Sequence, residues 1–191
     1  MGAHEFQACW DYYWSWEPNR RQIYRMVARE YACQSALYPG CGTDAIPSIY
    51  VPHVTYIDNS ALATGFFRSG ALRAKLERKK RYDGPCTFEY FEADYHTLSA
   101  LPQVDLLISQ YAGMVGQNMK QFLKLDGGLL VADGPPDADA AMDDPDYELL
   151  GTTRTGSEQE WIVPGYLPRA WIEIEGNRIP RNRNFCFQRK A

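Results

Sequence analysis

Two glycines separated by one residue stand near the start of the chain, in the segment LYPGCGTD of residues 37–44. Gly40 and Gly42 would allow a tight turn and let backbone N–H groups approach a ligand closely. A short helix, predicted to begin near Asp44, would direct its positive end toward a carboxylate or a phosphate. Because the motif is short, an ordinary turn after a strand is the alternative interpretation.

Two acidic residues follow the next two predicted strands. Asp58 ends the apolar, β-branched segment that begins at Val54, and Asp94 follows the alternating segment 87–93. An acid after the second strand of a nucleotide-binding sheet accepts hydrogen bonds from ribose hydroxyls. Since the carboxyl ends of parallel strands share one edge, we expect the glycine turn and both acids on one ligand-binding face. For each acid, capping or surface exposure is the alternative.

Short apolar runs alternate with helix-like segments, which predicts an α/β domain with a largely parallel sheet. The predicted strands are residues 35–38, 54–58, 87–93, 104–109, 129–132, 147–152 and 185–188. Helices are predicted from Pro18, over 60–80 with a break near 69–70, and over 114–125, where Asp-Gly-Gly would end the helix. We expect one domain over 1–191, made of an aromatic leader and helix (1–33), a cofactor-binding core (34–133) and a C-terminal part (134–191).

Composition excludes several classes of function. The chain has 191 residues, with 20 Lys+Arg against 24 Asp+Glu and a formal charge of −4. A broad nucleic-acid or anionic-membrane surface would need a basic excess. No apolar run approaches the ~20 residues of a membrane span, and no secretory signal is visible. The charged segment 73–81 is interpreted as a solvated helix face, with a basic binding patch as the alternative.

Cysteine and histidine usage points to a cytoplasmic protein without a metal site. The five cysteines form no Cys-x-x-Cys pair, so reduced thiols in the cytoplasm are expected. The three histidines have no ligand-like spacing with one another or with the cysteines. No metal site is predicted.

These segments resemble the class I S-adenosylmethionine-dependent methyltransferases over about residues 20–191. The resemblance rests on the glycine turn, the acids after strands two and three, and the segments 104–109, 123–132 and 184–190. It implies a Rossmann-like, seven-stranded mixed sheet with an antiparallel last strand and helices on both faces. It also implies S-adenosylmethionine as the cofactor.

The resemblance assigns cofactor-binding roles to residues at four strand ends. Gly40 and Gly42 would line the methionine part of the cofactor, and Asp58 would bind the ribose. Asp94 with Tyr95 would border the adenine, and Ser109 with Gln110 would lie beneath the sulfonium. The neighbouring residues of these sets complete the predicted cofactor site: Tyr38, Cys41 and Asn59.

The sequence departs from the family pattern near the turn. The family usually has an acid where Tyr38 stands and a small residue where Asp44 stands. Pro47 and Pro52 leave room for only a short helix before the second strand. A cofactor-binding protein without methyl transfer therefore stays open. A nicotinamide dinucleotide is a further alternative, because Gly40-x-Gly42-x-x-Ala45 fits its fingerprint.

Methyl transfer depends mainly on proximity and orientation, so no catalytic triad is required. Tyr111 after strand four and Asp133 after strand five are the predicted catalytic residues, which would position or deprotonate an acceptor. A core-edge tyrosine and a turn aspartate are the alternatives.

The insert 153–184 leaves the sheet on the ligand face, if strand six is parallel to the others. We predict that Trp161 and Trp171 of the insert form an aromatic lid with Tyr13 and Trp14 of the leader, over an apolar or planar acceptor. Extension of the core or a dimer contact is the alternative for these rings. The expected partner is a small-molecule substrate, with no nucleic acid and no membrane; a homodimer stays open.

Overall fold

A computed structural model describes residues 1–15, 18–132, 136–153 and 184–190. The described residues form seven strands in one sheet of order β3-β2-β1-β4-β5-β7-β6. Their bounds are β1 Ser35–Pro39, β2 His53–Asp58, β3 Thr87–Glu92, β4 Val104–Ser109, β5 Leu123–Ala132, β6 Tyr147–Thr153 and β7 Asn184–Arg189. Strands β1 to β5 pair in parallel, and β7 is antiparallel to both β5 and β6. The predicted mixed sheet with an antiparallel last strand is confirmed.

Six α-helices accompany these strands in the described part of the chain: α1 Ala3–Ser15, α2 Pro18–Glu30, α3 Ala61–Phe67, α4 Gly70–Lys79, α5 Val115–Asn118 and α6 Asp137–Asp143. Short 3₁₀ turns cover Ile46–Ile49, Tyr95–Thr97 and Lys120–Phe122. The break predicted near residues 69–70 separates α3 from α4. Ser69 begins α4 as its N-cap, because its side chain accepts a hydrogen bond from the backbone N–H of Ala71 at 3.3 Å.

The helix predicted over residues 114–125 is wrong. Helix α5 has only four residues, a 3₁₀ turn follows it, and β5 already begins at Leu123. The pairing of β5 with β4 shifts register, since Val104 opposes Leu123 while Leu106 opposes Gly128. Asp126, with a φ of 62°, lies in this irregularity. The Asp-Gly-Gly sequence therefore forms a bulge within a strand rather than the end of a helix.

The structure defines two elements of the N-terminal half more closely than the sequence does, the aromatic leader and the turn after Asp44. The aromatic leader is itself a helix, α1, and packs Phe6 on Phe66 of α3 with ring centroids 5.2 Å apart. The helix predicted near Asp44 is a four-residue 3₁₀ turn that begins at Ile46. Since Pro47 lies in that turn and Pro52 follows it, a longer helix does not form before β2.

The core has two layers, one on each face of the sheet. Alternate residues of β1 belong to different clusters: Ala36 and Tyr38 pack with α1 to α4, whereas Leu37 packs with α5 and α6. This alternation follows from the two-residue period of a strand. Helices on both faces of the sheet, as predicted, are confirmed.

Asp105 at the start of β4 connects neighbouring strands at the edge of the sheet opposite the glycine turn. One carboxylate oxygen accepts hydrogen bonds from the backbone N–H groups of Gln34 and Ser35, both at 2.9 Å. The other accepts from the Lys124 ammonium at 2.6 Å. Burial opposes ionisation, but these hydrogen bonds together outweigh it and hold the pKa of Asp105 below its usual range.

We expect Asp105→Asn to lower the free energy of unfolding by about 1–2 kcal/mol at pH 7, since a charge-assisted network is lost. Because the folded pKa is lowered, the contribution is present above the usual carboxyl pKa of about 4 and is lost as pH falls through the folded value. Urea unfolding at pH 7 and below pH 4 measures the difference. The exposed Asp126→Asn serves as control, and a pH-independent difference at position 105 would contradict the assignment.

Candidate cofactor site

The glycine turn is attached to the carboxyl end of β2 by three hydrogen bonds from its backbone. Gly40 N–H donates to the carbonyl of Ile57 at 2.7 Å, as does Cys41 N–H at 3.4 Å, and Gly42 N–H donates to Asp58 Oδ2 at 2.8 Å. Asp58 Oδ1 accepts from Ser60 N–H at 2.8 Å. Asp58 is half-buried, and a carboxylate has about four acceptor positions. It therefore holds the turn and still presents acceptor capacity at the surface.

Both glycines of the turn have a left-handed backbone, and other segments approach them closely. Gly40 and Gly42 have φ values of 62° and 55°, in the left-handed region. A Cβ on Gly40 would overlap the Cβ of Ala112, in the loop after β4. A Cβ on Gly42 would lie 3.0 Å from the hydroxyl of Tyr13 on α1. The structure thus places the Tyr13 hydroxyl beside the turn.

Tyr38 and Cys41 are directed into the protein. The Tyr38 hydroxyl donates to Asp44 Oδ2 at 3.3 Å, and the Tyr24 hydroxyl donates to the same oxygen at 3.0 Å. Asp44 is fully buried, so its carboxylate beside Tyr38 does not reach the surface. Burial raises the pKa of the Cys41 thiol well above its usual value, which keeps the thiol neutral.

Residues after β3 form the neighbouring wall. Asp94 is exposed, and its carboxylate accepts a hydrogen bond from His96 N–H at 2.9 Å, so it caps the 3₁₀ turn that follows. Tyr95 donates its hydroxyl to the carbonyl of Ala112 at 2.7 Å. Asn59, beside Asp58, is exposed. Tyr95 therefore connects the loop after β3 with the loop after β4.

Ser109 and Gln110 at the end of β4 are buried and hydrogen-bonded inward. Gln110 donates its amide N–H to Asn184 Oδ1 on β7 at 2.9 Å. Ser109 donates its hydroxyl to Asp137 on α6. Both side chains thus connect the end of β4 to its neighbours β7 and α6.

Tyr111, the next residue, differs from them in being exposed and in having an unusual backbone conformation. Its side chain is 65% exposed and its φ is 64°, which is rare for a bulky residue. Backbone strain of this kind persists where the surrounding structure imposes it and concentrates at functional sites. Tyr111 thus combines an exposed side chain with a strained backbone at the carboxyl edge.

Asp137 is a carboxylate that sequence reasoning missed. It is 3% exposed, and it accepts hydrogen bonds from the Ser109 hydroxyl and from Gly116 N–H at 3.0 Å. Burial raises its pKa, although these hydrogen bonds oppose the shift. The available signal was its position at the start of a helix after Pro-Pro. Asp133, which the sequence predicts as a catalytic residue, lies outside the described residues.

The predicted aromatic lid is described only on the side of α1. Trp161 and Trp171 lie outside the described residues. Trp14 stacks on Trp10 with centroids 5.6 Å apart, and the Lys79 ammonium of α4 lies 4.1 Å from its ring centroid. Trp14 therefore packs between α1 and α4, whereas Tyr13 on the same helix reaches the glycine turn.

The residues present fit the ribose end of S-adenosylmethionine, since Asp58 offers carboxylate acceptors beside the glycine turn. Among the described residues, no cluster of three or more His, Cys, Asp or Glu side chains could hold a metal ion. None of the described helices has the length and apolar character needed to cross a membrane.

The sequence matches no protein-family model and no curated protein. Solved structures do match over most of the chain. N-methyltransferase NodS from Bradyrhizobium japonicum WM9 aligns with a TM-score of 0.57 at 13% identity, covering 91% of this chain and 96% of NodS. A putative O-methyltransferase from Klebsiella pneumoniae aligns with a TM-score of 0.59 at 9% identity, covering 92% and 81%.

The chain has the class I methyltransferase fold. The [4+2]-cyclase SpnF also aligns, with a TM-score of 0.52 at 15% identity, covering 72% of this chain and 60% of SpnF. Proteins of different named activity thus share the fold, and the reaction must be argued from the site.

The contact between the glycine turn and the loop after β4 gives a double-mutant test. We expect Gly40→Ala to lower the free energy of unfolding by about 2–3 kcal/mol, through overlap with Ala112 and strain at positive φ. Adding Ala112→Gly should recover the part due to overlap. Urea unfolding of the two single variants and the double variant measures the coupling.

Gly70→Ala is the matched control, because nothing lies within 4 Å of the place that a Cβ would take there and α4 begins at this residue. We expect it to be neutral or slightly stabilising. Additive effects of Gly40→Ala and Ala112→Gly would show that the two loops do not meet as described.

Proposed function

We propose that this protein binds S-adenosylmethionine at the carboxyl edge of the sheet and transfers its methyl group to a small-molecule acceptor. The observation that carries the proposal is Asp58. Its carboxylate ends β2, holds the Gly42 N–H and retains acceptor capacity, which is the chemistry that ribose hydroxyls need.

Within this proposal, each segment of the edge has a separate task. Gly40 and Gly42 border the methionine end, Asp58 and Asn59 bind the ribose, and Asp94 with Tyr95 borders the adenine. When bound, S-adenosylmethionine supplies a methyl group already activated on a sulfonium. The chain then has to orient the acceptor and exclude water, which is the larger part of catalysis in such a transfer.

The acceptor side is assigned to Tyr13 and Tyr111. Tyr111 is exposed beyond β4, and Tyr13 reaches the glycine turn from α1. Aromatic side chains favour apolar or planar small molecules. The net charge of −4 supports a small molecule over a nucleic acid. The contributions of Asp133, Trp161 and Trp171 stay predictions.

Binding without methyl transfer is the second candidate. Ser109 and Gln110 at the end of β4 are engaged with Asp137 and Asn184, so they offer the acceptor little. The likeness to a [4+2]-cyclase adds to this candidate. A nicotinamide dinucleotide is disfavoured, because a four-residue 3₁₀ turn follows the glycine turn where that fold has a long helix.

A cytoplasmic location is part of the proposal. All five cysteines are free thiols, and four of them are buried. Free thiols persist in a reducing compartment.

Calorimetric titration with S-adenosylmethionine, S-adenosylhomocysteine and NAD tests the cofactor. We expect the first two to bind and Asp58→Asn to weaken them at least about 10-fold, since charge-assisted hydrogen bonds to the ribose are lost. Asp58→Asn keeps an oxygen for the Gly42 N–H, and thermal unfolding checks that the turn is intact. The exposed Asp126→Asn, in the β5 bulge, is the control.

Binding of NAD alone would replace the proposal with a dinucleotide site. Absence of binding by all three compounds would contradict cofactor binding altogether.

The strain at Tyr111 allows stability and activity to be separated. We expect Tyr111→Gly to raise the free energy of unfolding by up to about 1 kcal/mol, because glycine adopts a φ of 64° without strain. The same change should lower methyl transfer at least about 10-fold, since the acceptor loses a contact and a proton-transfer group. Urea unfolding and S-adenosylhomocysteine release over a panel of small phenols and aromatic amines measure the two effects.

Asp126→Gly is the matched control, with a φ of 62° in the β5 bulge. It should gain similar stability and leave methyl transfer unchanged. Unchanged transfer in Tyr111→Gly would remove Tyr111 from the site.

A further inference from the structure

A concave site lies at the edge of the sheet opposite the proposed cofactor site. This basic cleft has a volume of about 770 Å³ and is lined by α2, by residues 32–34 before β1, by Tyr50 and Pro52 before β2, and by residues 81–83 after α4. Because β1 and β2 begin at Ser35 and His53, these residues lie at the amino ends of the strands. The volume falls within the roughly 300–1,000 Å³ of small-molecule sites.

Three arginines line the basic cleft: Arg25, Arg29 and Arg81. Asp83 is the acidic residue among the described lining residues, which together carry a formal charge of +2 in a chain whose total is −4. Arg25 and Arg29 are one helical turn apart on α2, and like charges at that spacing destabilise a helix. The cleft is therefore positively charged although the net charge of the chain is negative. Two of its arginines also stand at a spacing that destabilises helix α2.

Several other cations in the described part of the chain interact with a partner. Arg68 pairs with Glu92 at 2.9 Å, and Lys124 pairs with Asp105 at 2.6 Å. On α4, the Lys75 and Lys79 ammonium groups lie over the rings of Trp10 and Trp14 at 4.9 and 4.1 Å.

By contrast, the guanidinium groups of Arg25, Arg29 and Arg81 make no hydrogen bond or ion pair within the part of the chain that the structure describes. All three are exposed. Three cationic groups without a partner among the described residues thus line one cleft.

The walls of the basic cleft are fixed. Arg81 N–H donates to the carbonyl of Ile49 at 2.8 Å, and the Tyr82 hydroxyl donates to the carbonyl of Ser48 at 3.0 Å. These bonds attach the segment after α4 to the 3₁₀ turn before β2. At the base, burial raises the pKa of the Cys33 thiol to about 12, which keeps it neutral and unreactive. The cleft is suited to binding rather than to covalent chemistry.

We propose that the basic cleft binds a phosphorylated small molecule, whose phosphate lies among Arg25, Arg29 and Arg81. The planar guanidinium fork matches two phosphate oxygens, and a phosphate monoester carries a charge of about −1.5 to −2 at neutral pH, close to the +2 of the cleft. Three arginines suit a compact anion better than an extended nucleic-acid strand, which needs many contacts along its backbone. Tyr50 and Tyr82 provide aromatic surface for the rest of the ligand.

Isothermal titration of the full chain with pyrophosphate, AMP and ribose 5-phosphate tests this site. We expect binding by all three that weakens with added KCl, and that weakens at least about 10-fold in Arg29→Gln and in Arg81→Gln. Tighter binding of AMP than of ribose 5-phosphate would identify a nucleotide, and equal binding a sugar phosphate. Arg78→Gln is the matched control, because Arg78 is an exposed arginine of α4 outside the cleft. It should leave all affinities unchanged.

Three results would overturn the proposal. One is an absence of binding by the wild type up to about 10 mM ligand, which is weaker than an ordinary metabolite site. Another is equal weakening in Arg78→Gln, which would indicate diffuse attraction. The third is tighter binding of single-stranded oligonucleotides that increases with their length, which would assign the cleft to nucleic acid.

Discussion

The hydrogen bond from Gly42 N–H to the Asp58 carboxylate is the interaction on which the carboxyl edge depends. It joins the end of β1 to the end of β2, and Ser60 N–H, at the start of α3, donates to the same carboxylate. An apolar residue at position 58 would leave the backbone N–H groups of Gly42 and Ser60 without this acceptor in a partly buried turn. One carboxylate thus fixes the turn, begins the next helix and retains acceptor positions for a ligand.

The turn also decides which other segments reach the edge. With glycine at positions 40 and 42, the loop after β4 and helix α1 approach the backbone closely. The loop after β4 is further held by Tyr95, through the carbonyl of Ala112. The unusual backbone of Tyr111 is a consequence, because Gln110 before it and Ala112 after it are both held by tertiary contacts.

The sequence was informative where local pattern and tertiary structure agree. Buried parallel strands appear as short apolar runs, so β1, β2 and β4 could be predicted with their acids and glycines. The helix over residues 114–125 was wrong because Asp-Gly-Gly is typical of a helix end as well as of a strand bulge, and only the pairing with β4 distinguishes them. The burial of Asp44 and Asp137 could not be predicted from the sequence. It depends on hydrogen bonds with Tyr24, Ser109 and Gly116, which are distant in sequence.

The two edges of the sheet differ in the kind of charge that they expose. The carboxyl edge presents Asp58 and Asp94 beside backbone donors, which suits hydroxyl and amine groups. The amino edge presents three guanidinium groups that folding leaves without partners among the described residues, which suits an anion. Asp105 and Lys124 also lie near the amino edge, but they are bonded to each other, and Asp105 accepts a hydrogen bond from Ser35 N–H. These bonds connect β1, β4 and β5. Charges that hold the strands in place are therefore paired at short distance, whereas the three guanidinium groups of the basic cleft stay available to an anion.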